Sequence, residues 1–171
     1  ENAIEGGLSA VANTVVIHNR LVRERPDLAA ALYEPYPYDL RGEERAGGRP
    51  FTQIPVFTEW DGRLFVRCIP GYIWASQRHA DAPRMSEVQR EALKAVEAMA
   101  VDPDVHMTME LRPGDIQFIN NFHVMHGRTA YVDDRAHGRV RHLKRLWLET
   151  SVITSRPPYF ANAGHWESKR S

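Results

Sequence analysis

The chain has 171 residues with 22 acidic and 22 basic side chains, so its formal net charge is zero. Balanced charge without long runs of one sign gives no support to a nucleic-acid-binding or membrane-binding surface. No apolar run approaches the roughly 20 residues that span a bilayer. These features predict a cytoplasmic protein with one hydrophobic core and neither nucleic acid nor membrane as a partner.

Cys68 is the single cysteine, which rules out a disulfide within the chain. Its strand-like surroundings predict a buried, reduced thiol rather than a catalytic one. The chain opens at Glu1 in the middle of what reads as a domain. We therefore expect residues 1–171 to be the C-terminal portion of a single longer domain.

The N-terminal third carries helix signals. Asn13 or Thr14 can cap a helix over residues 15–23, and Pro26 can start a second short helix that reaches Leu32. Residues 34–50 combine prolines, glycines and charges, which predicts a long loop.

A hairpin is predicted next. Asp61-Gly62 separates two β-rich runs, residues 53–60 and 63–69, and both turn positions favour residues that accept positive φ. Pro55 cannot donate to a strand ladder, so it predicts an edge position or a bulge in the first strand.

The longest helix signal follows the hairpin. Ser86 with Gln89 three residues later is a capping box, and the helix after it is expected to end near Ala100. The predicted buried stripe consists of Val88, Ala92, Val96 and Met99.

Three further strands are predicted over residues 106–111, 116–120 and 139–150, the first two being joined by a turn at residues 112–115. Strands outnumber helices in this reading, so the pattern predicts a mainly β sandwich or barrel with inserted helices. The tail from Arg156 onward is expected to be poorly ordered or docked.

The last predicted strand carries unusual chemistry. Period-two alternation places Arg141 and Arg145 on one face together with Leu143 and Trp147. Arginines among apolar groups need anionic partners, because unpaired burial costs several kcal/mol. The partner is either a protein carboxylate or the carboxylate of a ligand, for which the planar guanidinium is well matched.

His126 is the candidate metal ligand. It follows a predicted strand and precedes Gly127-Arg128, although nearby His123 weakens its uniqueness. The spacing of His79-Ala80-Asp81 suits two legs of a two-histidine, one-carboxylate Fe(II) site. Its polar surroundings nevertheless favour a solvated loop without a metal role.

Two short motifs have two interpretations each. Gly6-Gly7 before Ser9 marks a turn or strand start, or a close backbone approach to a ligand whose carboxylate accepts from the Ser9 hydroxyl. Asn120-Asn121 either caps a loop or orients a bound ligand.

Together these motifs resemble the TauD/TfdA family of Fe(II)- and 2-oxoglutarate-dependent dioxygenases, including its clavaminate-synthase-like branch. The residues that carry the resemblance are the Glu5-Gly6-Gly7-Leu8-Ser9 motif, the segment at 114–121, the segment at 126–130 and the segment at 141–148. The resemblance implies a double-stranded β-helix, or jelly roll, that is incomplete in this chain.

The resemblance also implies roles for four residues. His126 is expected to be the distal histidine ligand of the iron, and Arg141 to pair with the far carboxylate of 2-oxoglutarate. Arg145 is expected to help fix the cosubstrate or substrate, and Ser9 to stand where the family has a Thr or Ser that hydrogen-bonds 2-oxoglutarate. No residue of the chain is assigned a catalytic role.

One departure limits the assignment. In the family the His-x-Asp pair lies upstream of the Gly-Gly turn, where this chain starts, so only one of three metal ligands is expected here. The expected function is that of an oxidoreductase: an iron-dependent dioxygenase that uses O₂ to oxidise a small molecule while 2-oxoglutarate becomes succinate and CO₂. The alternatives are a β-helix binding module that has lost iron and a cupin-like binder of small acids. A homo-oligomer is compatible with the sequence.

Overall fold

The computed structural model describes residues 3–148 and 155–161, and helices and antiparallel strands share this part of the chain. Its strands are β1 (Glu5–Gly6), β2 (Ser9–Asn13), β3 (Pro35–Asp39), β4 (Phe51–Pro55), β5 (Phe57–Trp60), β6 (Arg63–Val66), β7 (His106–Met109), β8 (Val124–Arg128) and β9 (Tyr131–Val132). Its helices are α1 (Thr14–Glu24), α2 (Pro26–Ala31), α3 (Pro70–Ser76), α4 (Glu87–Met99) and α5 (Pro158–Ala161), with a 3₁₀ turn at Arg135–His137.

A three-stranded antiparallel sheet in the order β7-β2-β8 positions the candidate site. Because directly paired residues share a face, its register defines one face, here called the site face. The site face consists of Ser9, Val11, Met107, Met109, His126 and Arg128. On the opposite face, Ala12 and Met125 join the hydrophobic core.

The predicted N-terminal helices are confirmed. The side chain of Asn13 accepts from the backbone N–H groups of Val15 at 3.0 Å and Val16 at 3.3 Å, so it caps α1. Pro26 starts α2. Both helices are amphipathic and turn Ile17, Leu21 and Leu28 into the core, which α4 completes with Leu93 and Val96.

The prediction of a loop over residues 34–50 is wrong for its first part. Residues 35–39 form β3, which pairs with β4, and Tyr36 and Tyr38 are fully buried. The two strands form a ribbon with free edges, and a free edge tolerates the proline that lacks a donor.

The hairpin at Asp61-Gly62 is confirmed, with φ values of 53° and 67° at the two turn residues. The single strand predicted before it is instead two. β4 pairs with β3, whereas β5 pairs with β6. Pro55 is the last residue of β4, at the end of a two-stranded ribbon, as its missing donor leads one to expect.

The capping box is confirmed: Ser86 Oγ accepts from the Gln89 N–H at 3.1 Å, and Gln89 Oε1 accepts from the Ser86 N–H at 3.0 Å. The predicted stripe is wrong at Val88, which is 44% exposed. The buried face centres on Leu93, and Val88 lies about 140° away from it around the helix.

The predicted strand at residues 106–111 is confirmed as β7, but the next two predictions are wrong in the described residues. Neither residues 116–120 nor residues 139–148 form a strand, and residues 149 and 150 lie outside the described part. Ile116 and Phe118 are 77% and 80% exposed. Both segments have the alternating apolar and polar residues of a strand. In the described part of the chain, however, neither segment pairs with a neighbouring strand.

The C-terminal segment is docked where it is described. Phe160 is 1% exposed and packs against Phe65 and Phe122, at ring-centroid distances of 5.8 and 4.8 Å. The Tyr159 hydroxyl contacts that of Thr58. Residues 162–171 lie outside the described part. Among the described helices, none combines the length and apolarity needed to cross a bilayer.

Candidate functional site

His126 lies on the site face of β8, opposite Val11 of β2. Its Nε2 donates to the side-chain oxygen of Asn121 at 3.0 Å. Asn120 caps the turn between them, because its side-chain oxygen accepts from the Phe122 N–H and its carbonyl accepts from His123 and Val124. Asn120 therefore caps the loop, as one of the two interpretations predicted. Asn121 contacts His126, and the orientation of a bound ligand by either asparagine stays a prediction.

The environment of His126 favours its neutral form. Its imidazole is exposed at the surface of the chain, yet neighbouring atoms remove part of its hydration, and this desolvation lowers its pKa. The positive charge of Arg145 lowers the pKa further. A neutral imidazole is the form that binds a metal ion.

Arg141 contacts the Gly6-Gly7 turn. Its Nε donates to the carbonyl of Gly7 at 2.9 Å, and its backbone N–H donates to a side-chain oxygen of Asp133 at 2.9 Å. A Cβ at Gly7 would lie 2.7 Å from Cδ of Arg141, and Gly7 has a φ of +75°. The side chain of Arg141 therefore closely approaches the backbone of the turn, whereas the predicted approach to a ligand stays a prediction.

Neither Arg141 nor Arg145 takes part in an ion pair formed among the described residues. The guanidinium of Arg141 lies 5.7 Å from the ring centroid of Tyr131 instead. The sequence left open whether a protein carboxylate or a ligand pairs with these guanidiniums. No protein carboxylate pairs with either guanidinium in the described part of the chain.

Ser9 is 6% exposed and lies opposite Arg128 in the sheet. Its hydroxyl donates to Oε1 of Gln117 at 2.9 Å, and Gln117 Nε2 donates to the Met109 sulfur at 3.2 Å. The hydroxyl thus already has an acceptor, and Gln117 must move before Ser9 can donate to a ligand.

A cavity of about 580 Å³ adjoins the site face. Val11, Met109, Gln117 and Phe118 are among its lining residues, whereas His126, Arg141, Arg145 and Ser9 are not. Because Val11 is the cross-strand partner of His126, the cavity is next to the candidate ligand.

The described residues do not provide enough metal-binding side chains for an iron site. No group of three or more His, Cys, Asp or Glu residues that could hold a metal ion exists among the described residues. A facial-triad Fe(II) site takes two histidines and a carboxylate. His126 could contribute one of these ligands.

His79 does not behave as a solvated loop residue, and that prediction is wrong for its side chain, which is 18% exposed. Its Nε2 lies 3.4 Å from buried Asp39, and its ring stacks on Phe51, whereas Asp81 is exposed. The sequence analysis missed Asp39, whose only signal was its place at the end of a Tyr-rich run. Burial, with a contribution from Glu97, raises the pKa of Cys68 to about 12, as expected of an unreactive thiol.

The sequence model of the family described as "Taurine catabolism dioxygenase TauD, TfdA family" matches residues 1–147. The chain belongs to this family. Family membership supports an oxygenase-type function.

Two curated proteins are similar to the chain. FR-33289 synthase of Streptomyces rubellomurinus (strain ATCC 31215) is 34% identical over 148 residues, which cover 85% of this chain and 44% of that protein. The taurine hydroxylase-like protein SAT17 of Stachybotrys chartarum (strain CBS 109288 / IBT 7711) is 30% identical over 148 residues, which cover 82% of this chain and 36% of that protein. The chain thus spans less than half the length of either relative.

Proposed function

We propose that the chain belongs to an Fe(II)- and 2-oxoglutarate-dependent oxygenase with a double-stranded β-helix fold. The enzyme oxidises a small organic substrate with O₂ and converts 2-oxoglutarate to succinate and CO₂. The observation that carries this proposal is the guanidinium of Arg141, which is directed by the Gly7 carbonyl and forms no ion pair among the described residues.

Arg141 binds the far carboxylate of 2-oxoglutarate in this proposal. Its Nε is committed to the Gly7 carbonyl, which fixes the direction of the guanidinium. Both terminal nitrogens remain for a carboxylate, and charge-assisted bonds of this kind are about twice as strong as neutral ones. The Gly7 carbonyl thereby orients a cation without neutralising it.

Arg145 and Ser9 support the same ligand. Arg145 adds positive charge near His126, which favours both an anionic cosubstrate and a neutral imidazole. The Ser9 hydroxyl donates to the cosubstrate once Gln117 releases it. In this proposal Arg145 acts through its charge, and Ser9 acts through a directed hydrogen bond.

The iron requires ligands beyond those of the described residues. His126 supplies one, and the proposal assigns the other two to a His-x-Asp pair upstream of the Gly-Gly turn in the complete polypeptide. When bound, the iron supplies the activation of O₂ and the oxidation of the substrate. The contribution of this chain is to bind and orient the cosubstrate and to shape the adjoining cavity.

A second candidate is a β-helix binding module without iron. The shortfall of metal ligands in the described part favours it. Such a module would bind dicarboxylates through Arg141 but would release no succinate, so turnover separates the two functions.

The test uses the complete polypeptide that contains this chain, with Fe(II), O₂ and a substrate identified by screening small acids. Arg141→Gln is expected to raise the KM for 2-oxoglutarate at least about tenfold, because a charge-assisted pair is lost. Arg63→Gln, an equal charge change at an exposed position on β6, is the control. An unchanged KM in the Arg141 variant would refute the proposed binding of 2-oxoglutarate by Arg141. Binding of 2-oxoglutarate without formation of succinate would favour the binding module without iron.

A further inference from the structure

We propose that a cavity bordered by the end of β3 and by α3 is an oxyanion-binding site, in which Arg41 and Arg78 bind a carboxylate or phosphate group of a small molecule. The cavity has a volume of about 530 Å³, and its lining residues are Asp39, Arg41, Gly71, Tyr72, Ala75 and Arg78. None of them lines the cavity that adjoins the site face. The inference therefore goes beyond the proposed function and does not rest on it.

The buried carboxylate of Asp39 holds both arginines at this cavity. Only 1% of the Asp39 side chain is exposed. It accepts hydrogen bonds from the backbone N–H of Arg41 at 2.8 Å and from Nη2 of Arg78 at 3.3 Å. Its Oδ2 lies 3.0 Å from the same Nη2 without the geometry of a hydrogen bond. The Nε2 of His79 lies 3.4 Å from Oδ1, outside the lining of the cavity. Because an unpaired buried charge is costly, Asp39 keeps the two arginines in place.

Arg41 brings a positive charge that no protein carboxylate balances. It forms no ion pair among the described residues. Its Nη1 donates to the Tyr72 hydroxyl at 3.4 Å, and its guanidinium carbon lies 5.3 Å from the centroid of the same ring. The acidic side chains that follow in the loop, Glu43 and Glu44, do not line the cavity. The lining therefore carries two guanidiniums and one carboxylate, and an oxyanion would balance the remaining positive charge.

The backbone conformation of Arg41 supports a binding role. Its φ of 56° lies in the left-handed region, which a residue with a Cβ rarely adopts. The hydrogen bond from its N–H to the Asp39 carboxylate holds this conformation. Strained residues of this kind concentrate at ligand-binding sites. The strain therefore fits an arginine that is positioned for a ligand.

The wall formed by α3 leaves room for the body of a ligand. A Cβ built at Gly71 would have no atom within 4 Å, and Ala75 on the same helix contributes only a methyl group. The volume of about 530 Å³ exceeds that of a single oxyanion, so a larger molecule fits. The planar guanidinium fork matches both carboxylates and phosphates. The ligand class is therefore a small organic acid, either a carboxylate or a phosphate monoester.

Benzoate and phenyl phosphate are suitable probes, because they present the two candidate oxyanions on the same ring. Calorimetric titration of the complete polypeptide that contains this chain should show saturable binding of at least one probe, and the tighter one identifies the oxyanion. Benzyl alcohol, which has no charge, should not bind. Arg41→Gln should weaken the binding at least about tenfold, because a charge-assisted contact is lost. Arg63→Gln, with the same loss of charge on β6, should leave the affinity unchanged.

Gly71→Leu tests the location of the site, because it adds bulk at the cavity wall without changing the charge. Gly71 lies in α3 outside the left-handed region, and the new Cβ would meet no atom within 4 Å, so the substitution should not impair folding. It should weaken the binding of the probe as Arg41→Gln does. Ala98→Leu, which adds a similar bulk at an exposed position of α4, is the control and should bind like the wild type.

The absence of saturable binding of either probe to the wild type would overturn the inference. So would wild-type affinity in Arg41→Gln or in Gly71→Leu. Equal losses in Arg41→Gln and Arg63→Gln would indicate non-specific charge attraction and contradict the site. Arg141→Gln should retain the binding, and a loss there would assign the probe to the proposed cosubstrate site instead. Because Gly71→Leu changes no charge, it keeps the test valid if Arg41→Gln does not fold. These titrations do not measure succinate formation, so their failure leaves the proposed function untouched.

Discussion

The side chain of Arg141 occupies the space that a side chain at Gly7 would need. The Nε of Arg141 donates to the Gly7 carbonyl at 2.9 Å, and a Cβ at Gly7 would lie 2.7 Å from Cδ of Arg141. These residues are 134 positions apart in the sequence. The Gly-Gly turn and the arginine segment thus form one structural unit, in which the turn fixes the direction of the guanidinium.

Gly7→Ala should displace Arg141. The positive φ costs about 1–2 kcal/mol for a residue with a Cβ, and the added methyl group also clashes with Cδ of Arg141. Gly62→Ala is the matched control, because its φ of +67° imposes similar strain with no atom within 4 Å of the new Cβ. Urea unfolding should show a loss of stability in both variants, and a larger loss in Gly7→Ala because of the clash with Arg141. Only Gly7→Ala should raise the KM for 2-oxoglutarate, and an unaltered KM would argue against the unit.

Arg145→Gln should raise the pKa of His126. Desolvation and the charge of Arg145 both lower that pKa, and the substitution removes the second cause. NMR titration of the imidazole resonances measures the change directly. Arg63→Gln, with the same loss of charge on β6, should leave the His126 titration in place. Identical midpoints for the wild type and Arg145→Gln would mean that the two side chains are not neighbours.

Asp39→Asn should weaken the protein at neutral pH and flatten its acid dependence. Burial alone would raise the pKa of Asp39, but the N–H of Arg41, the imidazole of His79 and the guanidinium of Arg78 together hold it below the ordinary value. A lowered carboxyl pKa contributes stability above the unfolded-state value, about 3.9, and that contribution is lost as the pH falls through the folded-state value.

Urea unfolding at pH 7 should show a loss of about 1.5–3 kcal/mol for Asp39→Asn, the range for hydrogen bonds to charged groups. Asp104→Asn, at an exposed carboxyl, is the control and should change little. Stability curves for the wild type and Asp39→Asn that stay parallel from pH 7 down to acid would contradict this account of Asp39.

Phe160→Ala should destabilise the fold by about 3–5 kcal/mol, because it empties a fully buried aromatic position. Leu146→Ala removes a side chain that is 79% exposed and should change the free energy of unfolding by no more than about 0.5 kcal/mol. Equal unfolding midpoints for the two variants would show that the C-terminal segment does not pack on Phe65 and Phe122.

Local chemistry made much of the fold predictable. Asn13, Ser86 and Asp61-Gly62 act on backbone groups within a few residues. The local sequence is therefore enough to predict the helix caps and the turn that they form. Strand predictions failed where pairing decides the outcome. The Tyr-rich β3 found a partner in β4, whereas the alternating segment at residues 116–120 found none in the described part.

In the candidate site, too, local features were predictable, whereas contacts between distant segments were not. Alternation predicted one face for Arg141 and Arg145, but residues 139–148 form no strand and Trp147 is 65% exposed. His126, predicted to follow a strand, lies within the paired strand β8. The Asn121 contact to His126 and the Asp39 cluster could not be read from the sequence, since each depends on how separate segments meet. The assigned roles of His126, Arg141, Arg145 and Ser9 remain predictions.

The most direct test of the proposed function is succinate release from 2-oxoglutarate by the complete polypeptide containing this chain, with Fe(II) and O₂, for the wild type and His126→Ala. We predict that the wild type forms succinate in an iron- and O₂-dependent manner and that His126→Ala forms almost none, because one of three metal ligands is lost. Succinate formation at the wild-type rate by His126→Ala would contradict the metal-ligand assignment. The absence of succinate from the wild type with every acid screened would contradict the oxygenase.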